Sequence, residues 1–501
     1  MFLLNILITL FGLWHIFSKK RIIAILLPFL FIGVLAIYAY SIVYSTMNIQ
    51  SKVIHLTTSL LGLGILGFIL QAFKENKWAQ VSSIICALVG LNLYFENPHL
   101  PVSKEISNDK SAELLVKVKE NQFNGFEKEV KKQSFVLKVN PIHVPLRAEI
   151  TELDDIYKID ITNGYSIDKA IDKISKIEGV DWIEPNEVLQ LDLQSAETQK
   201  KTTPLVQLVD DKLVDQQWNL DVLNMQEYYP LFNQDKYKPL KTTKLFILDS
   251  GVDITHEDIS GNFVSHASTN RSSNESDGNG HGTHCAGVAG AQTNNGLGIA
   301  SMNPGKEWVT VSSVRVMNNF GIGTQAAIVE GIIEAVDQGA DVISLSLGGR
   351  STQLKEEAYD EAIAYAKKHN VILVAAAGNN ASDASSIVPA KLDGVITVSA
   401  VDRNLNKAQF SNYVSNIKYG LAAPGTSILS SWKDKRYAAF DGTSMATPHV
   451  SGLISVMRAL NPNLTQEEAY TILNDTGINT NETYKTGKLI QPANAIKALV
   501  K

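Results

Sequence analysis

The hydrophobic residues of this chain follow different patterns in its first 95 residues and in the remainder. Four apolar runs occupy residues 2–17, 22–44, 53–73 and 79–95, with almost no charge inside them. Each has about the length that crosses a hydrocarbon core ~30 Å thick. We therefore predict an all-α, four-span membrane region over residues 1–96. The alternative is a set of buried helices in a soluble domain.

Basic residues between the apolar runs suggest an orientation for this region. The first connecting loop contains Lys19, Lys20 and Arg21, and the third contains Lys74 and Lys77. The second loop contains only Lys52. Loops rich in lysine and arginine tend to stay in the cytoplasm. The chain after residue 96 is therefore expected on the extracytoplasmic side.

A compact pattern follows a polar linker at residues 97–111. Strand-like alternation covers 112–120, 134–140, 156–162 and 180–193, and helical spacing covers 123–133 and 166–179. The resulting order, βαββαβ, predicts a small α+β domain over residues 112–193. Polar residues then form a second linker at 194–214.

The pattern changes again in residues 215–501. Nearly continuous apolar runs at 243–250, 308–317, 340–349, 370–379 and 394–402 alternate with helical stretches such as 324–338, 354–369 and 443–460. This alternation predicts an α/β domain with a parallel sheet sandwiched by helices. Active sites of such sheets gather at the carboxyl ends of the strands.

Composition excludes several classes of function. The net charge is −6 and no long basic block occurs, so a nucleic-acid partner is not expected. Two cysteines, Cys86 and Cys285, do not make a disulfide framework or a cysteine-rich metal site. The length of 501 residues exceeds one ordinary domain.

Four polar residues stand beside small residues at predicted strand ends and helix starts. Asp249 ends an apolar run, His281 lies between two glycines, Asn379 follows Gly378, and Ser444 begins a helical stretch. Taken one at a time, the aspartate and asparagine are typical turn formers and the serine is a typical helix N-cap. Taken together, they form a complete set for acyl transfer.

Two residues near His281 leave other chemistry open. His281 and His284 lie three residues apart, but no carboxylate stands at the spacing of a zinc helix motif. We expect no metal at this site, and we expect His284 to pack inside and bond to the backbone. Cys285 fits a small buried residue better than a nucleophile.

The motifs "DSGVD", "HGTHCAG", "AAAGNN" and "GTSMATPHVSG", in that order, resemble those of the subtilisin-like serine proteases. The resemblance covers residues 215–501. It implies a serine endopeptidase in which His281 takes the proton of Ser444, Asp249 orients the imidazole, and Asn379 donates to the oxyanion. The resemblance also implies that the chemistry requires no cofactor.

The resemblance also assigns a substrate cleft. One wall is expected at "SLSLGG" and the opposite edge at "GIG", with the protein or peptide substrate added as an extended strand between them. The residues are Ser344, Leu345, Ser346, Leu347, Gly348 and Gly349 on one side, and Gly321, Ile322 and Gly323 on the other.

This chain departs from the family pattern in places. Asp441 stands where the family usually has serine, and the segment after Asn379 is short. Asp258 resembles a calcium ligand of the family, although its partner loop at residues 291–298 is only loosely similar. A structural calcium is therefore the one metal that the resemblance suggests.

Residues 112–193 resemble the inhibitory propeptide of the family, which acts as an intramolecular inhibitor. We therefore expect a membrane-anchored, extracytoplasmic zymogen that cuts its own chain within about residues 190–214, and whose catalytic domain can then leave the membrane. Two alternatives remain: a catalytically silent protease-like binding or sensor protein, and a four-span region that carries the main function.

Overall fold

The computed structural model describes residues 114–119, 122–143, 153, 155–162, 164–196, 208–269, 276–351 and 356–500. The chain divides into two units, Met1–Lys110 and Ser111–Lys501, and the described residues all belong to the second. The four expected spans and the first linker lie outside the described residues. Within these residues, no helix has both the length and the apolar character that a membrane crossing needs.

The N-terminal module, residues 114–196, contains a four-stranded antiparallel sheet in the order β2–β3–β1–β4. Its element order is βαββαβ, as the periodicity indicates. The elements are β1 Leu114–Val118, α1 Phe123–Val130, β2 Val136–Pro141, β3 Ile156–Ile161, α2 Ile167–Ile174 and β4 Val180–Pro185.

The last strand of this module is shorter than expected. The alternation predicts one strand over 180–193, but β4 ends at Pro185. The chain then forms two short strands, β5 Val188–Gln190 and β6 Gln194–Ser195, which pair outside the module sheet. We call residues 186–196 the tail of the module.

The C-terminal domain, described within residues 208–500, is built on an eight-stranded sheet in the order β19–β16–β15–β13–β11–β7–β9–β8. Every neighbouring pair in it is parallel. Its strands are β7 Thr243–Asp249, β8 Phe263–Ser268, β9 Val309–Arg315, β11 Val342–Leu345, β13 Ile372–Ala376, β15 Val395–Val401, β16 Gly420–Pro424 and β19 Lys488–Leu489.

Helices and smaller strands complete the C-terminal domain. The helices are α3 Trp218–Val222, α4 Met225–Tyr228, α5 His281–Gly290, α6 Gln325–Asp337, α7 Glu357–Lys368, α8 Thr443–Leu460, α9 Gln466–Thr476, α10 Thr483–Thr486 and α11 Pro492–Leu499. Short 3₁₀ turns lie at Val214–Gln216, Tyr229–Asn233, Asp235–Tyr237 and Ala384–Ser386. The remaining strands are β10 Ile322–Thr324, β12 Gly349–Arg350, β14 Ile387–Val388, β17 Ile428–Trp432 and β18 Arg436–Asp441.

Both faces of the parallel sheet are buried under helices, as the continuous apolar runs predict. Along β7, Leu245 and Ile247 face a core that contains α5 and α8 residues. Phe246 and Leu248 face a second core that contains α6 and α7 residues. Successive side chains of a strand point to opposite faces, so a strand covered on both sides needs apolar residues at every position.

The antiparallel sheet of the module is also covered on both faces. In β1, Leu114 and Val116 pack in the module's own core, whereas Leu115 joins the α6 and α7 core of the C-terminal domain. Lys158 of β3 forms an ion pair with Glu330 of α6 at 3.0 Å. The module therefore lies with one sheet face against these two helices.

Candidate active site

Asp249 is the last residue of β7, near the middle of the parallel sheet and at its carboxyl edge. Its side chain is fully buried. The backbone N–H of Ser250 donates to Asp249 Oδ1 at 2.7 Å. The backbone N–H groups of Val316 and Met317 donate to the Asp249 carbonyl at 2.9 and 3.0 Å. The neighbouring strand therefore holds this strand end in place.

His281 begins α5, and the start of this helix closely approaches the end of β7. A Cβ on Gly282 would lie 2.0 Å from the Gly251 carbonyl oxygen, so only glycine fits there. Gly280 has φ +107°, and a Cβ on it would lie 2.5 Å from the Trp432 ring. This close packing brings His281 Nδ1 to 2.7 and 2.9 Å from the two Asp249 carboxylate oxygens.

A buried carboxylate that we did not single out from sequence supports this helix start. Asp277 accepts hydrogen bonds from the backbone N–H groups of Gly280 and Thr283 at 2.7 and 2.9 Å. It also accepts from the hydroxyls of Ser250 and Thr283. An aspartate four residues before the helix start, followed by Gly-Asn-Gly, is the signal that identifies this cap.

Burial and charge act in opposite directions on His281. Burial lowers the pKa of its imidazole, but the adjacent Asp249 carboxylate outweighs this effect and places the pKa well above its ordinary value. The Nε2 atom is buried and has no hydrogen-bond partner in the described part of the chain. The imidazole is therefore oriented from one side, and its other nitrogen is available.

Ser444 is the second residue of α8 and is 6% exposed. The N-cap of this helix is Gly442, and no side chain caps it, so the capping alternative is wrong. The Ser444 hydroxyl donates instead to the Ser346 carbonyl at 2.9 Å. Pro448 lies inside the helix and has no N–H for the Ser444 carbonyl. The Cys285 thiol approaches that carbonyl, with Sγ 3.5 Å from the oxygen.

Asn379 is oriented by Thr443, the neighbour of Ser444. The Thr443 backbone N–H and hydroxyl both donate to Asn379 Oδ1 at 2.9 Å. Because the oxygen is held in this way, the Nδ2 donors point elsewhere. Nδ2 lies 3.7 Å from the position that a Cβ on Gly442 would occupy. Within the described residues this amide nitrogen has no hydrogen-bond acceptor, and it lies beside the start of α8.

Asn412 supports the loop that carries Asn379, and sequence reasoning missed this role. Asn412 Oδ1 accepts from the backbone N–H groups of Asn380 and Ser382 at 2.9 Å. Its Nδ2 donates to the Ala377 carbonyl at 2.8 Å. The available signal was the "FSNYVS" motif, in which this residue is the asparagine.

The six residues expected on one wall of the cleft divide into two groups. Ser344 and Leu345 belong to β11 and are buried, and Ser344 Oγ accepts from Ser451 Oγ at 3.0 Å inside the domain. The other four follow the carboxyl end of β11: Ser346, Leu347, Gly348 and Gly349. A Cβ on Gly349 would lie 3.0 Å from Leu189 Cγ, which belongs to the module tail.

The opposite edge, Gly321–Ile322–Gly323, also contacts the tail. Here β10 pairs antiparallel with β5, and Gly323 lies opposite Leu189. The backbone N–H of Leu191 donates to the Gly321 carbonyl at 2.7 Å. The tail therefore occupies the strand position that we expect a substrate to take.

Comparisons with known proteins agree with this geometry. Residues 241–492, about half of the chain, match the model of the Subtilase family, Peptidase_S8. This chain belongs to the subtilase family. It is a subtilisin-like serine protease, a hydrolase, on an α/β fold with a large parallel sheet. Subtilases need no cofactor for catalysis.

Named relatives of this subtilase include bacterial enzymes. It is 40% identical to thermitase of Thermoactinomyces vulgaris over 46% of this chain and 84% of that protein. It is 38% identical to subtilisin DY of Bacillus licheniformis over 52% of this chain and 93% of that protein. A protease structure from Pseudoalteromonas arctica superimposes with a TM-score of 0.50 at 27% identity, covering 58% of this chain and 99% of that one.

His284 of this subtilase is buried and bonds to the backbone, so its role is structural. Its Nε2 lies 3.0 and 3.1 Å from the carbonyl oxygens of Ile428 and Ala438, so its ring N–H bonds to the backbone as expected. Burial lowers its pKa to about 3 and keeps the ring neutral. Cys285 is also buried, and burial raises the pKa of its thiol. It is therefore an uncharged thiol, as expected of a small buried residue.

Asp258, the candidate calcium ligand, already has donors on both carboxylate oxygens. Asn295 Nδ2 donates to one oxygen at 3.0 Å. The Ile299 N–H and the Tyr437 hydroxyl donate to the other, both at 2.9 Å. Calcium requires a cage of free oxygen ligands. This donor set does not fit such a cage.

Proposed function

We propose that this subtilase is a membrane-anchored, extracytoplasmic endopeptidase made as a zymogen, with Asp249, His281 and Ser444 as its triad. The observation that carries the proposal is the paired contact of His281 Nδ1 with Asp249, which leaves a buried Nε2 free for a proton. Ser444 stands at the start of the neighbouring helix, and α5 and α8 pack together.

Peptide hydrolysis then follows from the properties of these groups. Neutral His281 takes the hydroxyl proton of Ser444 as the oxygen attacks the substrate carbonyl carbon. Asp249 holds the ring tautomer and stabilises the imidazolium. His281 returns the proton to the leaving amine, and a water molecule hydrolyses the resulting ester by the same steps in reverse order. Before attack, the hydroxyl must leave its present acceptor, the Ser346 carbonyl.

Two N–H donors are proposed to stabilise the tetrahedral oxyanion. Asn379 supplies Nδ2, whose direction is set because Thr443 holds the amide oxygen. The backbone N–H of Ser444, in the first turn of α8, supplies the second donor, and it lies at the positive end of the helix dipole. Donors that are already oriented require little reorganisation when charge develops.

The N-terminal module is proposed as the propeptide and intramolecular inhibitor. Its Glu184 accepts from the backbone N–H groups of Glu357 and Ala358 at the start of α7, at 2.9 and 3.1 Å. Asn186 accepts from the Ala326 N–H at the start of α6, at 2.9 Å. These bonds dock the module where its tail enters the cleft.

A relative whose match extends over more of this chain also supports the zymogen assignment. The thermostable alkaline protease of Halalkalibacterium halodurans is 28% identical over 354 residues, which is 69% of this chain. A match of that length does not fit inside residues 215–501, so it includes part of the region before them. The proposed precursor arrangement therefore has a counterpart in length in another protease.

Membrane anchoring rests on the four apolar runs of residues 1–96 and on the basic residues between them. We expect the Ser444→Ala chain to sediment with membranes as a single full-length band and to resist carbonate extraction. A chain that lacks residues 1–96 is the control and should be soluble. A soluble Ser444→Ala full-length chain would overturn the anchor.

Catalysis is tested with a fluorophosphonate probe and a labelled casein substrate. We expect the processed protein to be labelled at Ser444 and to hydrolyse casein, and the Ser444→Ala chain to do neither. Processed, folded protein that is not labelled and leaves casein intact would favour the catalytically silent binding protein. Sidedness is tested by adding a non-permeant protease to intact cells, which should digest the C-terminal domain.

A further inference from the structure

The tail of the N-terminal module is held by two edges of the C-terminal domain, one after the other. On the first edge, Val188–Gln190 pairs with Ile322–Thr324. On the second, Ser195 pairs with Phe440 and Gln194 with Asp441, and the Ala196 N–H donates to the Ala439 carbonyl at 3.0 Å. The tail therefore passes from one edge to the other.

Each of these two edges connects to a different catalytic residue. The first edge is linked to His281 through Asn279, whose Oδ1 accepts from the His281 N–H at 3.3 Å and whose Nδ2 donates to the Asn319 carbonyl at 3.0 Å. The second edge, β18, continues through Gly442 and Thr443 directly into Ser444. A tail that pairs with both edges therefore joins the segment next to His281 to the segment that continues into Ser444.

Within the described stretch 164–196, only Asp192 and Leu193 separate the two paired segments. Three peptide bonds join Leu191 to Gln194. The first bond contains the carbonyl of Leu191, a residue whose own N–H is bonded to the Gly321 carbonyl. The third bond contains the N–H of Gln194, which belongs to the paired strand β6. The middle bond alone has both its carbonyl and its N–H on residues outside the pairing.

We infer that the bond between Asp192 and Leu193 is the one that the enzyme cuts in its own chain. This inference rests on the proposed function and narrows the cleavage site from the segment 190–214 to one peptide bond. The Ser444 oxygen bonds to the Asp192 carbonyl carbon, and the C–N bond to Leu193 breaks. His281 transfers the serine proton to the Leu193 amine. Water then hydrolyses the ester, leaving a carboxylate on Asp192 and a free Ser444.

The same register predicts which substrate side chains matter. Leu189 is 2% exposed and packs against Gly349, and Leu191 is 9% exposed and packs near Gly321. Gln190, between them, is exposed, and Val188, just before Leu189, is 59% exposed. The cleft is therefore expected to select apolar residues one and three positions before the residue whose carbonyl is attacked.

The first test is the position of the initial cut in the full-length chain. Samples from the first minutes of maturation are analysed by intact mass and by sequencing of both fragments. We expect one fragment to end at Asp192 and the other to begin at Leu193. Later trimming shortens the second fragment but leaves the Asp192 end unchanged. An N-terminal fragment that first ends at any other residue overturns the inference.

Matched variants test the register independently. Leu193→Pro removes the N–H of the cut bond and restricts the residue before it, so we expect self-cleavage to slow at least tenfold. Thr202→Pro, in the linker, should cleave at the normal rate. Leu189→Asp should also slow cleavage at least tenfold, and Val188→Asp should not. Equal rates within either pair contradict the assignment.

Two further measurements separate the possible failures. Thermal unfolding of Leu193→Pro is compared with that of uncleaved Ser444→Ala, and similar curves show that slow cleavage is not misfolding. Hydrolysis of added casein by the wild-type protein, together with a first cut elsewhere, overturns only the bond assignment. Loss of both casein hydrolysis and self-cleavage overturns the proposed function itself.

Discussion

The sheet of the N-terminal module and the sheet of the C-terminal domain are both covered on two faces, but by different kinds of contact. The eight-stranded sheet lies between helices of its own domain, with apolar side chains on both sides. The four-stranded sheet has its own helices on one face only. Its other face carries ion pairs to the C-terminal domain, such as Lys117 with Glu361 at 2.6 Å.

This difference bears on how easily each face can be uncovered. Separating α8 from the parallel sheet would expose a continuous apolar core, which is costly in water. The module face combines apolar contacts with ion pairs that are mostly buried, such as Lys158 with Glu330, whose side chains are 10% and 21% exposed. Separating the module returns both partners to water, and buried ion pairs add little net stability because desolvation offsets their attraction. The module face is therefore expected to be easier to uncover than the core beneath α8, as the proposed release of the module requires.

The largest effect is expected when self-cleavage between the N-terminal module and the C-terminal domain is abolished. We expect Ser444→Ala to lower kcat about 10⁶-fold, as removal of the serine does in subtilisin. The module should then stay joined to the C-terminal domain on denaturing gels. Ser455→Ala, a buried serine of the same helix, is the control and should process normally. A processed Ser444→Ala chain would contradict the comparison.

The next effect concerns the charge beside the imidazole. Asp249→Asn should lower kcat about 10⁴-fold, because the tautomer and the imidazolium lose their support. Catalysis needs neutral His281, whose pKa is raised by Asp249, so the wild-type rate should rise with pH through that elevated pKa. In the variant, this limb should move to lower pH. The exposed Asp235→Asn is the control, and an unmoved limb would refute the assignment.

Asn379→Ala should lower kcat about 10²–10³-fold, the range for loss of an oxyanion donor in subtilisin, with little change in KM. Thr443→Val should have a smaller effect of the same kind, because it removes one of the two hydrogen bonds that orient the Asn379 amide and keeps the backbone one. Steady-state kinetics on a peptide substrate measure both. Asn380→Ala, at an exposed position, should be unchanged. A change in KM alone would indicate substrate binding instead.

A smaller effect sharpens the comparison at the docking face. Burial raises the pKa of Glu184 from 4.5 to about 7, so the docked module binds a proton more tightly than the free module. Docking is then strongest below about pH 4.5 and weakens as the pH rises through 7, by up to about 3 kcal/mol. Glu184→Gln should remove this dependence.

Size-exclusion chromatography of the self-cleaved protein between pH 5 and 8 measures this docking. The fraction of module that elutes with the C-terminal domain should fall as the pH rises. Glu178→Gln, an exposed carboxylate of the same module, should behave as wild type. Retention that increases with pH would reverse the predicted sign.

The smallest effect is expected from removal of calcium. Because the Asp258 oxygens already accept hydrogen bonds, EDTA should leave the thermal midpoint of the C-terminal domain almost unchanged. Differential scanning calorimetry measures this. A fall of about 5 °C or more that added calcium reverses would show a bound ion.

Local patterns were sufficient for much of the fold. Continuous apolar runs indicated strands buried on both faces, and β7 places Leu245 and Phe246 in two different cores. Glycines beside His281 indicated a close approach, and Gly282 indeed has no room for a Cβ. The backbone N–H groups that hold Glu184 were not predictable, because they belong to a helix more than 170 residues away.

The tail shows where prediction from sequence failed. Its alternation continues from Val180 to Leu193, so a single strand was the natural reading, but the pairing changes partner after Pro185. The partners of β5 and β6 are β10 and β18, two strands of the C-terminal domain that each lend one edge to the tail. Backbone hydrogen bonds carry no residue code, so a strand's own sequence does not tell which edge it will join.

The sequence by itself determined the chemical groups and the local elements: an aspartate, a histidine, an asparagine and a serine in family order, and the periods of strands and helices. Only the tertiary structure decided which segments meet. It placed His281 against Asp249 and packed one face of the module against helices α6 and α7. It also paired the tail first with β10 and then with β18. The physical reason is that these contacts join segments far apart in the chain, and their geometry depends on packing that no local pattern encodes.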